Sequence, residues 1–314
     1  MKLVITGALG HIGSRWIHSF RAGEFEEVIL LDNFATQRYC SLFNLPKGVN
    51  FRFVEDDICT AKLESYFQGA HAVVHMAAIT NAAGSFENQD QVERVNYQGT
   101  ERVARACANC GSRLLLLSTT SVYGTQENIV DETCPLDELK PQSPYATSKL
   151  RSEQLLQDLG RTEGLKFVAC RFGTIVGTAI GMRFHTAVNK FCWQACLGQP
   201  ITVWRTALNQ KRPYLDIHDA VRALSFIQEK DLFDNEVYNV LTTNTTVGEI
   251  IELIRAHIQD LRIEYVDSKI MNQLSYNVAA AKFQGKGFAF RSSLAESVGD
   301  TIALLAGVAT PRLK

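Results

Sequence analysis

Lys2-Leu3-Val4-Ile5-Thr6-Gly7-Ala8-Leu9-Gly10-His11-Ile12-Gly13 runs from a short apolar strand through a glycine-rich turn into a helical pattern. The three glycines have separate duties. Gly7 permits the tight turn, Gly10 lets backbone approach a diphosphate, and Gly13 lets helix and strand pack closely. An anion placed there faces the free N–H groups at the helix start, which include those around Leu9, His11 and Ile12. Glycine spacing alone is a weak signal. Its position between a strand and a helix strengthens it and points to a dinucleotide site.

Working outward, short apolar runs alternate with helical stretches. Lys2–Thr6, Val28–Asp32, Phe51–Val54, Ala72–His75, Arg113–Ser118 and Lys166–Phe172 read as strands. His11–Ala22, Ala61–Gln68, Gln91–Cys110 and Tyr145–Glu163 read as helices. This alternation predicts a parallel sheet covered on both faces. After Thr174 the rhythm changes. Arg183–Leu197, Asp219–Glu229 and Val247–His257 have helical spacing, with strands at Ile201–Trp204 and Arg212–Ile217. No linker or repeat separates the halves. The expected fold is α/β, a doubly wound Rossmann-type sheet with a smaller, interwoven C-terminal substrate-binding region. The dinucleotide-binding part is placed at 1–173 and the substrate-binding part at 174–314.

The 314 residues are 46% apolar and 21% charged with a net charge of −1, a globular balance with no basic face for nucleic acid. No stretch reaches the roughly 18 apolar residues of a membrane span. Met1–Thr6 leads straight into the glycine turn without the pattern of an export signal, so a cytoplasmic location is expected. The eight cysteines are then expected to be reduced. Cys107 and Cys110 form a lone Cys-x-x-Cys in a helical pattern, read as small buried residues, and no metal site is expected.

Asp32 ends the second strand, 19 residues after Gly13. A carboxylate there accepts bonds from the adenosine ribose and repels a 2′-phosphate, which favours NAD over NADP. Asp56-Asp57-Ile58 after the third strand either places a carboxylate at the adenine or caps a helix. Tyr145 and Lys149 stand four apart just after Pro144, so phenol and ammonium share a helix face. A phenol with an ordinary pKa near 10 is a poor base, and an adjacent ammonium and NAD⁺ both favour its phenolate. Ser118-Thr119-Thr120-Ser121-Val122-Tyr123-Gly124 offers a third hydroxyl after the fifth strand.

Gly7–Gly13, Asp32, His75-Met76-Ala77-Ala78, Val95-Asn96-Tyr97-Gln98-Gly99-Thr100, the hydroxyl run before Val122-Tyr123-Gly124, and Tyr145–Lys149 together resemble the extended short-chain dehydrogenase/reductases. Within these, the NAD-dependent sugar-nucleotide epimerase/dehydratase family is most similar. Arg212–Asp219 and Val237-Tyr238-Asn239-Val240 match its later landmarks, so the resemblance covers nearly the whole chain. It implies Tyr145 as acid/base, Lys149 as modulator of its pKa, and Thr119, four residues before Tyr123, as the hydroxyl that orients the sugar oxygen. It places Asn33, Asp57, Ile58, Met76, Ala77, Ala78, Asn96 and Phe172 at the cofactor. It places Thr80, Thr120, Ser121 and Thr174 at the substrate, and Arg212 at the diphosphate, where a guanidinium suits bidentate contact. Arg183, His185 and Asn189 are expected on one helical stretch within reach of sugar or phosphates, with Asn272 and Gln273 near the nucleotide.

Thr120 and Ser121 stand where dehydrating relatives carry an acid. Neither serves as a carboxylate base. The remaining pattern resembles 4-epimerases, in which a 4-keto sugar forms, turns and is reduced again, with no net redox.

 The stretch Met182–Cys192, continuing to Val203-Trp204-Arg205-Thr206-Ala207, is more similar to the sulfoquinovose-synthase branch, which also uses a UDP-sugar. That branch carries an acid near the catalytic Thr, absent here, and Thr174 stands where many relatives have Asn. The expected function is therefore epimerisation of a nucleotide-activated sugar, UDP-linked by preference, at carbon 4. A dehydratase, a reductase, a sulfoquinovose-synthase-like enzyme and an inactive NAD-binding scaffold are the alternatives. Relatives pair the helices at Gln91–Cys110 and Tyr145–Glu163, and the leucines Leu150, Leu155, Leu156 and Leu159 add to the expectation of a homodimer.

Overall fold

The computed structural model describes residues 1–267 and 275–308. Its first half runs β1 (Lys2–Thr6), α1 (His11–Ile17), β2 (Glu27–Asp32), β3 (Phe51–Glu55), α2 (Leu63–Phe67), β4 (Ala72–His75), α3 (Gln89–Val92), α4 (Gly99–Cys110), β5 (Arg113–Thr119), β6 (Ile129–Val130), α5 (Pro144–Thr162) and β7 (Phe167–Phe172). There follow β8 (Thr174–Val176), α6 (Ala187–Cys196), β9 (Ile201–Trp204), β10 (Lys211–Asp216), α7 (Ile217–Glu229), β11 (Glu236–Val240), β12 (Thr243–Thr246), α8 (Val247–Arg255), β13 (Ile263–Val266), β14 (Asn277–Val278), α9 (Ala281–Gln284) and α10 (Leu294–Leu305).

Seven parallel strands form the main sheet in the order β11-β7-β5-β4-β1-β2-β3. Successive side chains on a strand point to opposite faces, and here both faces are covered. Leu3, Ile5, Leu30, Val74 and Leu115 meet Trp16 and Ile17 of α1 and Leu224 and Ile227 of α7. Val4, Ile29, Leu31, Val73 and Leu116 meet Phe67 of α2, Val103 and Cys107 of α4, and Leu156 and Leu159 of α5. The strand order reverses between β1 and β4, so the loops after these strands part and leave a crevice at their C-terminal ends. The second half is threaded into the first. α7 covers the sheet and β11 extends it beside β7, while β12-β10-β8 form a separate three-stranded sheet.

Three helices differ from the sequence reading, each for a local reason. α1 ends at Ile17 rather than Ala22, where the Ser19 hydroxyl and N–H both turn back to the Trp16 carbonyl. The stretch expected as one helix over Gln91–Cys110 widens into a π-helical turn at Glu93–Gln98, which turns Asn96 inward to bind the Ile79 backbone. The helix expected from Arg183 begins only at Ala187, after an extended Thr186. The leucines of α5 are also used within the chain. Leu156 and Leu159 lie in the core, Leu155 packs against it, and Leu150 packs against the cluster around Val122 and Tyr123. Cys107 is buried in the same core. Among the described residues, no helix is long and apolar enough to cross a membrane.

Two buried histidines give the fold an acid sensitivity. His75 bridges the hydroxyls of Thr6 and Thr100, and His11 Nε2 donates to the Gly177 carbonyl at 2.8 Å. Burial and then the Lys149 ammonium push His75 down to about 3, and burial and then the Arg183 guanidinium push His11 down to about 3. Both are neutral when folded, whereas the unfolded chain takes up protons near 6.5. Their contribution to stability is full above about 6.5 and is lost as the pH falls towards 3. Urea unfolding should therefore lose on the order of 2 kcal/mol per histidine between pH 6.5 and pH 5. An unchanged midpoint over that range contradicts these two neutral imidazoles.

Candidate active site

The turn after β1 leaves no room for side chains. Gly7 has a φ of +69°, and a Cβ there would lie 2.6 Å from the Ala77 nitrogen. A Cβ on Gly13 would lie 2.4 Å from the Ala8 carbonyl oxygen. Backbone from β1, α1 and the loop after β4 therefore meets directly, and Met76, Ala77 and Ala78 follow β4 along the edge of the crevice. A Cβ on Gly10 would meet only the Gly7 carbonyl oxygen at 3.3 Å and the Arg38 guanidinium at 3.8 Å. This open, backbone-lined cradle with a cation beside it fits a dinucleotide diphosphate.

Asp32 closes the cradle from the end of β2. Its Oδ2 accepts from the Leu9 N–H at 3.1 Å and its Oδ1 from the Phe34 N–H at 3.0 Å. Burial raises its carboxyl above the usual range, against those two bonds and the charge of Arg38. Arg38, six residues beyond Asp32, was not anticipated from the sequence. Asp57 proves to be a turn cap, accepting from the Cys59 N–H at 2.8 Å and from Asn33 Nδ2 at 3.4 Å. Ile58 is buried beneath Gly99. Asn96 is fully buried, and its amide pairs with both the N–H and the carbonyl of Ile79 at 2.8 and 2.9 Å. It thus holds the loop after β4 from beneath.

Thr119 ends β5 and caps the tight turn Thr120–Tyr123, its hydroxyl accepting from the Ser121 N–H at 3.2 Å. α5 begins just after Ser143, whose hydroxyl accepts from the Ala146 N–H, and Pro144 fills the first helical position. This start brings the Tyr145 phenol close to Thr119. One turn on, Lys149 is 2% exposed, and its ammonium is brought down to about 8 by burial against the pull of Glu153. Burial raises the Tyr145 phenol, while Arg183 and Thr119 oppose that rise. Another turn on, Glu153 is buried and pairs with Arg171, with Oε2–Nη2 at 2.7 Å, and accepts from the Ser118 hydroxyl. Sequence reading stopped at Lys149. The same four-residue step, continued once, reaches Glu153.

On the substrate side, the Thr120 hydroxyl lies 3.4 Å from the Phe172 carbonyl and 3.5 Å from the Tyr276 hydroxyl. Ser121 lies close to Tyr276 as well, and the charge of Arg212 on β10 reaches both Tyr276 and Tyr214. Tyr276 is the third residue missed from sequence, since it lies in a stretch without periodic signal. Thr174 opens β8 half-buried. Arg183 and His185 lie on the loop before α6, not on one helix with Asn189. Arg183 Nη1 donates to the Thr80 hydroxyl. Asn189 is fully buried, donating to the Arg183 carbonyl at 3.0 Å and accepting from the Gly177 N–H at 3.4 Å. It shapes that loop from beneath. Asn272 and Gln273 lie outside the described residues.

Residues 3–240 match the model of the NAD dependent epimerase/dehydratase family. A trifunctional UDP-glucose 4,6-dehydratase/UDP-4-keto-6-deoxy-D-glucose 3,5-epimerase/UDP-4-keto-L-rhamnose-reductase of Arabidopsis thaliana is 28% identical over 96% of this chain. The chain spans 46% of that relative, about half its length. An uncharacterized UDP-glucose epimerase of Bacillus subtilis is 28% identical, over 76% of each chain. Among solved structures, the UDP-glucose 4-epimerase of Thermus thermophilus in complex with NAD superposes with a TM-score of 0.85 at 25% identity, over 98% of this chain and 99% of the other.

Glu153→Gln should destabilise the protein by about 3–5 kcal/mol in denaturant unfolding, because it leaves Arg171 buried without its counter-charge. The double substitution Glu153→Leu, Arg171→Met should cost much less. A loss below about 1 kcal/mol for Glu153→Gln would show that the pair does not anchor the helix.

Proposed function

The chain belongs to the NAD-dependent epimerase/dehydratase family, and from that premise we propose that it epimerises carbon 4 of a nucleotide-activated sugar, with a UDP-sugar favoured. The cradle at Gly7–Gly13, Asp32 and the loop Met76–Ala78 would hold NAD, and residues 174–314 would supply most of the sugar-nucleotide contacts, with Arg212 at the diphosphate. Bound NAD supplies a reversible hydride acceptor, so that a 4-keto sugar stands between substrate and product. Thr119, close to Tyr145, orients the reacting oxygen. Tyr145 accepts the hydroxyl proton and later returns it. Lys149 favours the phenolate by its charge. The homodimer expected of such an enzyme remains part of this reading and rests on the family resemblance.

One observation carries the choice of epimerisation. The turn after Thr119, Thr120-Ser121-Val122-Tyr123, offers hydroxyls and no carboxylate. Returning a proton to the oxygen that lost it needs one acid/base. Eliminating water needs a further acid and base at neighbouring carbons.

Purified protein with NAD should convert a UDP-sugar into an isomer of unchanged mass, inverted at carbon 4 by NMR. A product lighter by one water assigns the chain to the dehydratases. Tyr145→Phe should lower kcat by roughly 10²–10⁴-fold with NAD affinity unchanged. Retention of more than about a tenth of the wild-type rate removes Tyr145 as the acid/base.

A further inference from the structure

Arg183 brings a charge into the crevice that no carboxylate among the described residues pairs with. Its Nη1 donates to Thr80, while its Nε is buried and has no partner. Burial brings the guanidinium down to about 10; Tyr145 raises it again, and Arg38 acts with the burial. A charge withdrawn from water without a counter-charge is costly, so a bound anion is the natural complement. The loop is also held ready for one. Asn189 bonds the Arg183 carbonyl at 3.0 Å, His11 bonds the Gly177 carbonyl at 2.8 Å, and the Gly181 N–H donates to the Ser14 hydroxyl at 2.9 Å.

Two other arginines lie by the places where the two diphosphates would sit. Arg38 stands beside the backbone cradle for the dinucleotide diphosphate, and Arg212 stands beside Tyr276 for the diphosphate of the sugar nucleotide. Arg183 is the third, and it is the one coupled to the phenol at which the sugar reacts. Its Nη1 meets the Thr80 hydroxyl, and the phenol on which its charge acts lies near Thr119 and Tyr276. A buried cation among hydroxyls suits an anionic sugar. We infer that the substrate carries a negatively charged substituent on its sugar ring, a carboxylate or sulfonate, and that Arg183 is the residue that selects it.

This inference rests on the reading of Tyr145 as the acid/base. The competing anion is the dinucleotide diphosphate, because Arg183 also lies within electrostatic reach of His11. The test uses NAD-loaded Tyr145→Phe protein, in which turnover is blocked, and titrates UDP-glucuronate and UDP-glucose by calorimetry. The parent should bind UDP-glucuronate at least about 10-fold more tightly than UDP-glucose. Adding Arg183→Gln should weaken UDP-glucuronate by about 10- to 100-fold, leave UDP-glucose within about threefold, and leave the NAD retained after desalting unchanged. Arg183→Lys should restore part of the preference. Unweakened UDP-glucose binding serves as the control for folding. Equal affinity of the parent for both sugars overturns the inference and leaves the proposed function standing. Loss of NAD from Arg183→Gln with the sugar preference intact overturns it too and assigns the arginine to the dinucleotide. Binding of neither sugar nucleotide overturns the proposed function and the inference together.

Discussion

The buried carboxylate of Glu153 is the constraint on which the site depends. It accepts from Arg171 on β7 and from Ser118 on β5, so one side chain ties helix α5 to two neighbouring strands. Sliding α5 by one turn would strand a buried charge, at a cost comparable to much of a domain's net stability. The register fixed in this way places Tyr145 two turns up the helix against Thr119, the residue after Ser118. Lys149 lies between them, its ammonium stabilised by the same carboxylate. The ion pair thus positions the proton-handling groups without touching a substrate.

Charge is distributed unevenly about the crevice. Below Lys149 lies the carboxylate of Glu153. Above it lie Tyr145 and Thr119, and the charge of Arg183 reaches the phenol while that of Arg38 reaches Arg183. The charge of Arg212 reaches Tyr276. Under the proposed function these cations would answer the anions that a dinucleotide and a sugar nucleotide bring, and Tyr145 would take and return the proton, so that electrostatics and the choice of reaction would follow from the same set of residues.

The sheet was legible in the sequence because its strands are buried on both faces. Val4, Ile29, Val73 and Leu115 leave no polar alternation to confuse them with surface strands. The Gly7–Gly13 turn and the Tyr145/Lys149 pair were legible because each depends on short spacing. Helix ends were less so, since Ser19 ends α1 through a bond back to Trp16 and the π-helical turn answers to Asn96 meeting Ile79, a contact across 17 residues. Tyr276, Arg38 and Arg171 reach their places only through tertiary packing. The partners of Asn189, Gly177 and the Arg183 carbonyl, likewise come from tertiary packing.

The central claim is that one acid/base pair inverts one carbinol carbon. A UDP-sugar deuterated at carbon 4, turned over in ordinary water, tests it most directly. The account predicts an epimer that keeps its deuterium at carbon 4, and in a parallel reaction in heavy water no solvent deuterium at carbon 5. Solvent label at carbon 5, or loss of water from the product, would contradict it.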